Sequence, residues 1–341
     1  MLAYAKSLLL KRVARVDDEG RMKILKNKGL LLCRLGMVVA AMASMSSAQA
    51  IVSPTDSANW LGSSLSILDG EAKITMNLSG VGSICSGSLL AGGQYVLTAA
   101  HCLSGDTGTS TASGISITFA NTGLVASAAA YYVDPGWIQD HGNLGAGNDL
   151  ALIKLSSRVT SIAGYALDLV NALGDAVLLA GYGRTGSGSS GYGAVSTNGT
   201  LHYGYNQYDG YIGNPALPVI YGYDFDNGTS SYNAFGSTGL RMNGSVVDAM
   251  IAPGDSGGGS LVNINGVWEL AGVHSFISCG ATGCTPNSSY GQYAADISVA
   301  ANSAWLLSYL AVPEPGTLEL LLGTLGAAGI RRIARRRKAA A

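Results

Sequence analysis

Short apolar runs separated by turn-forming residues recur along the middle of the chain. Residues 72–78, 88–90 and 95–98 are rich in Val, Ile, Leu and Tyr, and clusters of Gly, Asn, Asp and Ser separate such runs. Runs of this length with turn residues between them are typical of β-strands. Helical periodicity is scarce outside the two ends, so the pattern predicts an all-β protein.

The first fifty residues have the organisation of an export signal. Residues 1–29 are polar and basic, residues 30–43 are mostly apolar, and Ala48-Gln49-Ala50 follows. A basic flank, a short apolar core and a small-x-small ending are the parts of a secretory signal peptide. We therefore expect residues 1–50 to be removed, with Met22 as an alternative start of translation. The other interpretation is a membrane anchor that stays attached.

The charge of the chain is unevenly distributed. The whole sequence has a formal net charge of −1, but residues 51–330 hold 5 basic and 18 acidic residues, which gives 5 − 18 = −13. A surface that binds nucleic acid needs basic side chains to neutralise phosphates. The composition therefore argues against a nucleic-acid partner.

Removal of residues 1–50 leaves four cysteines: Cys85, Cys102, Cys279 and Cys284. An even number in an exported chain indicates disulfides. Three pairings are possible, and the spacing favours Cys85–Cys102 and Cys279–Cys284. None of the cysteines has metal-site spacing.

Three short segments carry candidate chemistry. His101 ends the run LTAAHC, Asp149 opens the apolar run DLALIKL, and Ser256 lies in PGDSGG, where glycines permit a sharp bend. A serine hydroxyl becomes a nucleophile when a base takes its proton, and a carboxylate can orient that base. Each segment alone could also have a purely structural role, as a structural histidine, a turn aspartate and a flexible glycine-rich turn.

Taken in order, these segments resemble the signature segments of the trypsin/chymotrypsin-like serine proteases. The order histidine, aspartate, serine is that family's own. Further similarity lies in residues 84–90, 180–185 and 266–276, and the likeness covers residues 51–312.

The resemblance implies two six-stranded antiparallel Greek-key barrels with the active site between them and a closing C-terminal helix, here residues 294–310. It implies that Ser256 is the nucleophile, His101 the general base and Asp149 the orienting carboxylate. The backbone N–H groups of Gly254 and Ser256 would form the oxyanion hole. The fold implies no cofactor.

Several positions of the substrate pocket depart from the trypsin pattern. Met250 stands where trypsin-type members have an aspartate, so we expect no preference for Lys or Arg. Ile277 would narrow the pocket and favour small or apolar side chains. The remaining pocket residues by resemblance are Ser275, Phe276 and Gly291.

Signal cleavage after Ala50 would expose Ile51-Val52. Family members become active when such an amino terminus pairs with the aspartate before the serine, here Asp255. We therefore expect signal peptidase to generate the active end directly, although an ordinary strand start at Ile51 is the plainer interpretation.

Two further stretches invite functional interpretation. Residues 186–235 are rich in tyrosine, which fits a substrate or polysaccharide surface but fits ordinary strand packing better. Asp224-Phe225-Asp226-Asn227-Gly228 faintly resembles a calcium loop, but it lacks the ligand spacing and the closing glutamate. We expect no metal.

Residues 312–341 resemble the PEP-CTERM sorting tail of exported proteins of Gram-negative bacteria. Pro313-Glu314-Pro315 is followed by the apolar segment 317–330 and by a basic end. The segment is short for a membrane span of about 20 residues, and its basic end favours the cytoplasmic side. The resemblance implies an exosortase-type partner, a transient inner-membrane anchor and a final place in the periplasm, on the cell surface or in the extracellular matrix. A permanent anchor or amphipathic helix is the alternative.

Two functions follow as hypotheses. The first is an exported serine endopeptidase, residues 51–311, that acts on peptide or protein substrates through an acyl-enzyme. The second is a catalytically weak or inactive matrix or adhesion protein on the same scaffold.

Overall fold

The computed structural model describes residues 14–16, 22–24, 51–53, 60–193, 199–213, 219–236, 248–280 and 284–310. The chain divides into two compact units, residues 1–47 and 48–341. In the first unit, the described residues form an antiparallel pair of strands, β1 (Ala14–Val16) and β2 (Met22–Ile24). The rest of the expected signal peptide and all of residues 311–341 lie outside the described residues.

A closed six-stranded antiparallel barrel forms the first half of the second unit, in the order β4-β5-β6-β9-β8-β7. In the central part of its first strand, every second side chain is buried and those between are partly exposed. This alternation is the pattern of a strand with one face on the core of the barrel. The strands are β4 (Glu71–Leu78), β5 (Val81–Leu89), β6 (Tyr95–Thr98), β7 (Ala112–Phe119), β8 (Leu124–Val133) and β9 (Ala151–Leu155).

An eight-stranded sheet forms the second half, in the order β14-β11-β17-β18-β19-β16-β15, with β10 parallel to β18. The strands are β10 (Ala166–Leu167), β11 (Ala176–Gly181), β14 (His202–Gln207), β15 (Gly210–Tyr211), β16 (Ile220–Asp224), β17 (Gly259–Ile264), β18 (Val267–Ser278) and β19 (Tyr293–Ser298). The turn Asn265-Gly266 joins β17 to β18 with φ of 53° and 90°. Positive φ at both positions is what a tight two-residue hairpin requires, and Asn-Gly adopts it readily.

A small third sheet anchors the beginning of the expected mature chain. It consists of β3 (Ile51–Ser53), β12 (Thr185–Ser187) and β13 (Gly191–Tyr192), with β3 parallel to β12. Val52 and Met250 also exchange two backbone hydrogen bonds of 2.8 Å. Residue 51 is therefore tied to the segment that leads to Ser256.

Three short α-helices complete the described chain: α1 (Ala100–Ser104), α2 (Pro135–Gln139) and α3 (Ser303–Leu310). The helix expected over residues 294–310 is thus partly wrong. Residues 294–298 belong to β19, where all five side chains are buried, as in a strand covered on both faces. No helix among the described residues is long and apolar enough to cross a membrane, and the expected segment 317–330 is not among them.

One apolar core runs through both halves, since Ile74 and Leu152 of the barrel belong to the same buried cluster as Leu178 and Leu261 of the sheet. Tyr182 also bridges the halves, because its hydroxyl donates a 3.0 Å hydrogen bond to the Glu71 carbonyl. The all-β fold with a C-terminal helix is confirmed. The first barrel is closed, and the second appears over the described residues as a half-barrel whose edge strands β14 and β15 do not pair.

Candidate active site

His101 lies on α1, directly after β6. The neighbouring Cys102 forms a disulfide with Cys85 of β5, with 6.2 Å between the two Cα atoms. The Nε1 of the buried Trp137 donates a 3.0 Å hydrogen bond to Ser104 Oγ at the other end of α1. A covalent link and a buried hydrogen bond therefore fix the short helix that carries the imidazole.

Asp149 is fully buried beside this imidazole. Its Oδ2 lies 2.8 Å from His101 Nδ1 and accepts a 2.6 Å hydrogen bond from Ser275 Oγ. Its Oδ1 accepts the His101 backbone N–H at 2.8 Å. Because a carboxylate only accepts, Nδ1 carries the proton and Nε2 of the neutral ring is left as a base.

The electrostatics of this pair support the same protonation states. Burial is the largest single effect and would lower the pKa of His101, but the charge of Asp149, its hydrogen bond and the charge of Asp106 together raise that pKa above its ordinary value. Burial would likewise raise the pKa of Asp149, but its interactions with His101 and Ser275 lower it. Asp149 is therefore charged at neutral pH and stabilises a proton on His101.

Ser256 lies next to the same disulfide. Cys102 Sγ is 3.6 Å from the Ser256 carbonyl oxygen and 3.9 Å from His101 Nε2. The Ser256 carbonyl also accepts the Ser86 backbone N–H at 2.8 Å. Among the described residues, the Ser256 hydroxyl has no hydrogen-bond partner, and such bonds often tighten only when substrate binds.

Glycine at position 257 permits this close approach. Gly257 has φ of 82°, and a Cβ there would collide with Thr98 Oγ1 and with the Ser86 carbonyl oxygen. The loop of Ser256 thus packs directly against the end of β6, three residues before His101. A side chain at residue 257 would push the two segments apart.

Gly254 has φ of 102°, and the carbonyl groups on both sides of its N–H are hydrogen bonded. The Pro253 carbonyl accepts the Arg184 N–H at 3.0 Å, and the Gly254 carbonyl accepts Ser86 Oγ at 3.0 Å. The backbone at this candidate oxyanion donor is therefore held on both sides.

Asp255 is fully buried and accepts backbone N–H groups on both carboxylate oxygens. Gly183 donates to Oδ1 and Ala252 donates to Oδ2, each at 2.8 Å, and the Ile51 N–H is a third donor. Ile51 is itself buried. Burial raises the pKa of Asp255 to about 6, against the effect of these donors. The nitrogen that cleavage after Ala50 would free is thus already at this carboxylate.

The expected pocket residues fall in different environments. Met250 is fully buried in an apolar cluster with Ile51 and Val52. Phe276 and Ile277 are half-buried on β18, opposite Ala295 and Ala294 of β19. The Ser275 hydroxyl is engaged by Asp149.

Gly291, the last expected pocket residue, has φ of 85°, and a Cβ there would approach the ring of Tyr232. Gly291 therefore lies against the tyrosine-rich residues 186–235. The disulfide Cys279–Cys284 closes a short loop directly after β18. Both expected disulfides are present.

Sequence reasoning missed a buried pair behind the site. His274 Nδ1 lies 2.9 Å from Asp296 Oδ1, and both side chains are fully buried. Asp296 also accepts the hydroxyls of Tyr208, Tyr223 and Ser260. Burial would lower the pKa of His274, but Asp296 raises it. The histidine next to Ser275 was visible in the sequence, whereas its partner 22 residues later was not.

The stretch with a faint likeness to a calcium loop does gather carboxylates. Oxygen atoms of Asp224, Asp226 and Asp248 lie within 4.8 Å of one another, and all three residues are buried. Burial and mutual repulsion raise the pKa of Asp248 to about 8 and that of Asp224 to about 6. Asp248 was not identified from the sequence because more than twenty positions of the chain separate it from the other two aspartates.

A comparison with known families decides the class of this fold. The Trypsin family model matches residues 66–303, which is more than half of the chain. The chain belongs to the trypsin family. It is accordingly a serine endopeptidase, and the resemblance drawn from the ordered segments is confirmed. A second family model, the PEP-CTERM protein-sorting motif, matches residues 311–338. The two families imply peptide substrates and a sorting system of the exosortase type.

Two solved structures are similar to this chain, and the first of them supports the trypsin-family fold. HL collagenase is similar at 18% identity and a TM-score of 0.50, over 73% of this chain and 96% of that one. The protease Anisep from Arthrobacter nicotinovorans is similar at 19% identity and a TM-score of 0.45, over 67% of this chain and 90% of that one. No curated protein matches the chain.

Proposed function

We propose that this trypsin-family chain cleaves peptide bonds with Ser256 as nucleophile, His101 as general base and Asp149 as orienting carboxylate. The observation that carries the proposal is the buried Asp149 carboxylate, which accepts the backbone and the Nδ1–H of His101 and the hydroxyl of Ser275. These bonds leave Nε2 of His101 as the free base, beside the disulfide that also contacts the Ser256 backbone.

The chemistry follows from these roles. His101 Nε2 takes the proton of Ser256 Oγ as that oxygen attacks the substrate carbonyl, and the N–H groups of Gly254 and Ser256 stabilise the resulting oxyanion. Each such donor is worth about 3 kcal/mol in the transition state. The protonated His101 then gives its proton to the leaving amine, and an acyl-enzyme forms on Ser256. Water attacks this ester with the same base and releases the acid product.

A fluorophosphonate probe tests the assignment, because it reacts with a serine that a neighbouring base has activated. We expect labelling of Ser256 in the folded protein and none in Ser256→Ala with unchanged unfolding temperature. If the folded wild-type protein stays unlabelled, the nucleophile is wrong and a non-catalytic adhesion or matrix function becomes the better explanation.

The proposed side-chain preference is for small or apolar residues before the cleaved bond. Met250 offers no charge to a basic side chain and belongs to an apolar cluster, while the nearby Asp255 carboxylate is occupied by backbone donors. Cleavage of a mixed peptide library measures this preference directly. Predominant cleavage after Lys or Arg would contradict it.

We also propose that the protein is exported and processed at both ends. Residues 1–50 would be removed as a signal peptide, residues 51–311 would form the protease, and residues 312–341 would be the sorting tail. The match to a protein-sorting motif supports this organisation. Mass spectrometry of the mature protein tests it, since a chain that retains residues 1–50 and 312–341 would refute both cleavages.

A further inference from the structure

Ser86 lies in β5, one residue after the cysteine that is bonded to Cys102, and it is fully buried. Its backbone N–H donates to the Ser256 carbonyl at 2.8 Å, and its own carbonyl accepts Thr98 Oγ1 at 2.8 Å. The backbone of Ser86 therefore connects the nucleophile loop to the strand that precedes His101.

The hydroxyl of Ser86 makes two further hydrogen bonds of 3.0 Å each, with the Tyr182 backbone N–H and with the Gly254 carbonyl oxygen. A backbone N–H can only donate and a carbonyl can only accept. The hydroxyl therefore accepts from Tyr182 and donates to Gly254. No other orientation of this hydroxyl satisfies both partners.

The bond to Gly254 matters because glycine permits more than one orientation of the peptides that flank it. The Arg184 N–H holds the Pro253 carbonyl, and in a planar trans peptide the Gly254 N–H then points the opposite way. Ser86 holds the next peptide through the Gly254 carbonyl. With both peptides fixed, the Gly254 N–H has one direction.

Three successive N–H groups, those of Tyr182, Gly183 and Arg184, hold the loop of Ser256. Gly183 binds the Asp255 carboxylate and Arg184 binds the Pro253 carbonyl, both directly. Tyr182 acts only through the Ser86 hydroxyl. Ser86 belongs to the first barrel, so this third bond also links the barrel to the oxyanion loop of the second half.

We propose that Ser86 is a positioning residue for the oxyanion hole: its hydroxyl connects the Tyr182 N–H to the Gly254 carbonyl and so aims the Gly254 N–H at the developing oxyanion. The inference rests on the proposed function, in which Gly254 is an oxyanion donor. Removal of the hydroxyl leaves a buried donor and a buried acceptor unpaired, and the Gly254–Asp255 peptide keeps the bond from its N–H to the Ala252 carbonyl. The ψ angle of Gly254 is then less restrained, and with it the adjoining Pro253–Gly254 peptide that carries the Gly254 N–H.

Steady-state kinetics of Ser86→Ala test this role with p-nitroanilide peptides that end in Ala or Leu. We expect kcat and kcat/KM to fall by about tenfold with KM within about twofold, the pattern of an interaction made only in the transition state. A peptide aldehyde of the same sequence forms an oxyanion on Ser256, so its inhibition constant is expected to rise by the same factor. Ser86→Thr keeps the hydroxyl and is expected to stay closer to wild type.

Ser88→Ala is the matched control, because Ser88 is buried two residues along β5 and its hydroxyl donates to Glu71 instead of the nucleophile loop. It is expected to lose stability while kcat stays within about twofold of wild type. If Ser86→Ala lowers kcat and aldehyde affinity no more than Ser88→Ala, the positioning role is refuted. Ser86→Gly removes the same hydroxyl and replaces Ser86→Ala should the latter not fold.

The same measurements separate this inference from the proposed function. A folded wild-type protein that neither cleaves the peptides nor reacts with a fluorophosphonate refutes the proposed function and the inference with it. An active wild type with an equally active Ser86→Ala refutes the inference alone.

Discussion

At the scale of single residues, the Asp149 carboxylate accepts hydrogen bonds from both halves of the fold. His101 and its backbone belong to the first half, and Ser275 lies on β18 of the second. The orientation of the imidazole therefore depends on the two halves being docked.

Asp149→Asn is expected to lower kcat by about 10⁴-fold, because an amide can donate to Nδ1 and so favours the wrong tautomer of His101. The variant protein should still fold. Kinetics of peptide hydrolysis measure the loss, with Glu269→Gln as a matched carboxylate-to-amide control near the start of β18. A loss of less than about tenfold would show that Asp149 does not orient the base.

The pH profile follows from the raised pKa of His101. The base is active only when neutral, so kcat/KM should rise with pH and reach its plateau above the pKa of the free enzyme. Because Asp149 raises that pKa above the ordinary 6.5, the midpoint should lie on the alkaline side of 6.5. A midpoint well below 6.5 in the pH–rate profile would contradict the observed pairing.

The sequence predicted the residues that form contiguous motifs and missed those joined only by folding. His101, Asp149 and Ser256 each lie in a recognisable segment. Ser86 and Gly254 are 168 positions apart, and the hydrogen bond between them depends on how the barrel docks on the sheet. Periodicity along one strand carries no information about such a contact.

At the scale of elements, the disulfide Cys85–Cys102 ties β5 to α1 across 17 positions of sequence. Closing a loop of that length stabilises a fold by about 3 kcal/mol. Cys85→Ser/Cys102→Ser should therefore lower both the free energy of unfolding and kcat, since α1 carries His101.

The other disulfide supplies the control for that experiment. Cys279–Cys284 spans only 5 positions, for which the same loop-closure argument gives about 2 kcal/mol. Cys279→Ser/Cys284→Ser should lower stability less and leave the pH profile of His101 unchanged. Denaturant unfolding and peptide kinetics compare the two pairs, and equal kcat in both variants would show that the first bond does not position His101.

The type of an element could be predicted from the sequence where buried and exposed side chains alternate. The prediction failed where they do not alternate. The strand at residues 71–78 alternates and was predicted almost to its ends. Residues 294–298 are buried on both faces, and a short run of Ala, Asp, Ile and Ser without alternation reads equally as helix. Only the pairing of β19 with β18 and β16 determines that it is a strand.

At the scale of the whole molecule, the buried Asp255 links the beginning of the expected mature chain to the nucleophile loop. Burial raises its pKa to about 6, although backbone donors and the charge of His274 act in the opposite direction. A free α-ammonium group at Ile51 would favour the charged carboxylate and lower this pKa.

A chain that begins at Ile51 should therefore be active and more stable than one that begins at Gln49. The stability difference should have its full value between about pH 6 and 8. In that range the buried Asp255 is charged in both chains, but only the chain that begins at Ile51 has an α-ammonium group to pair with it. It should shrink as the pH falls below about 6, because the carboxyl then becomes protonated in both chains. Unfolding temperatures across pH, with kcat at pH 7.5, measure this, and equal activity of the two chains would rule out a role for the free amino terminus.

The position of the disulfide next to His101 also has a consequence for the cell that makes the protein. In the reducing cytoplasm such bonds do not persist, so the link between β5 and α1 would be absent while the chain is being synthesised. If the chain is exported as proposed, a protease whose base is held in place only in an oxidising compartment does little damage to the proteins around it before it leaves the cytoplasm. The cysteines that hold the imidazole would thus also act as a safeguard, with oxidation after translocation as the step that completes the enzyme.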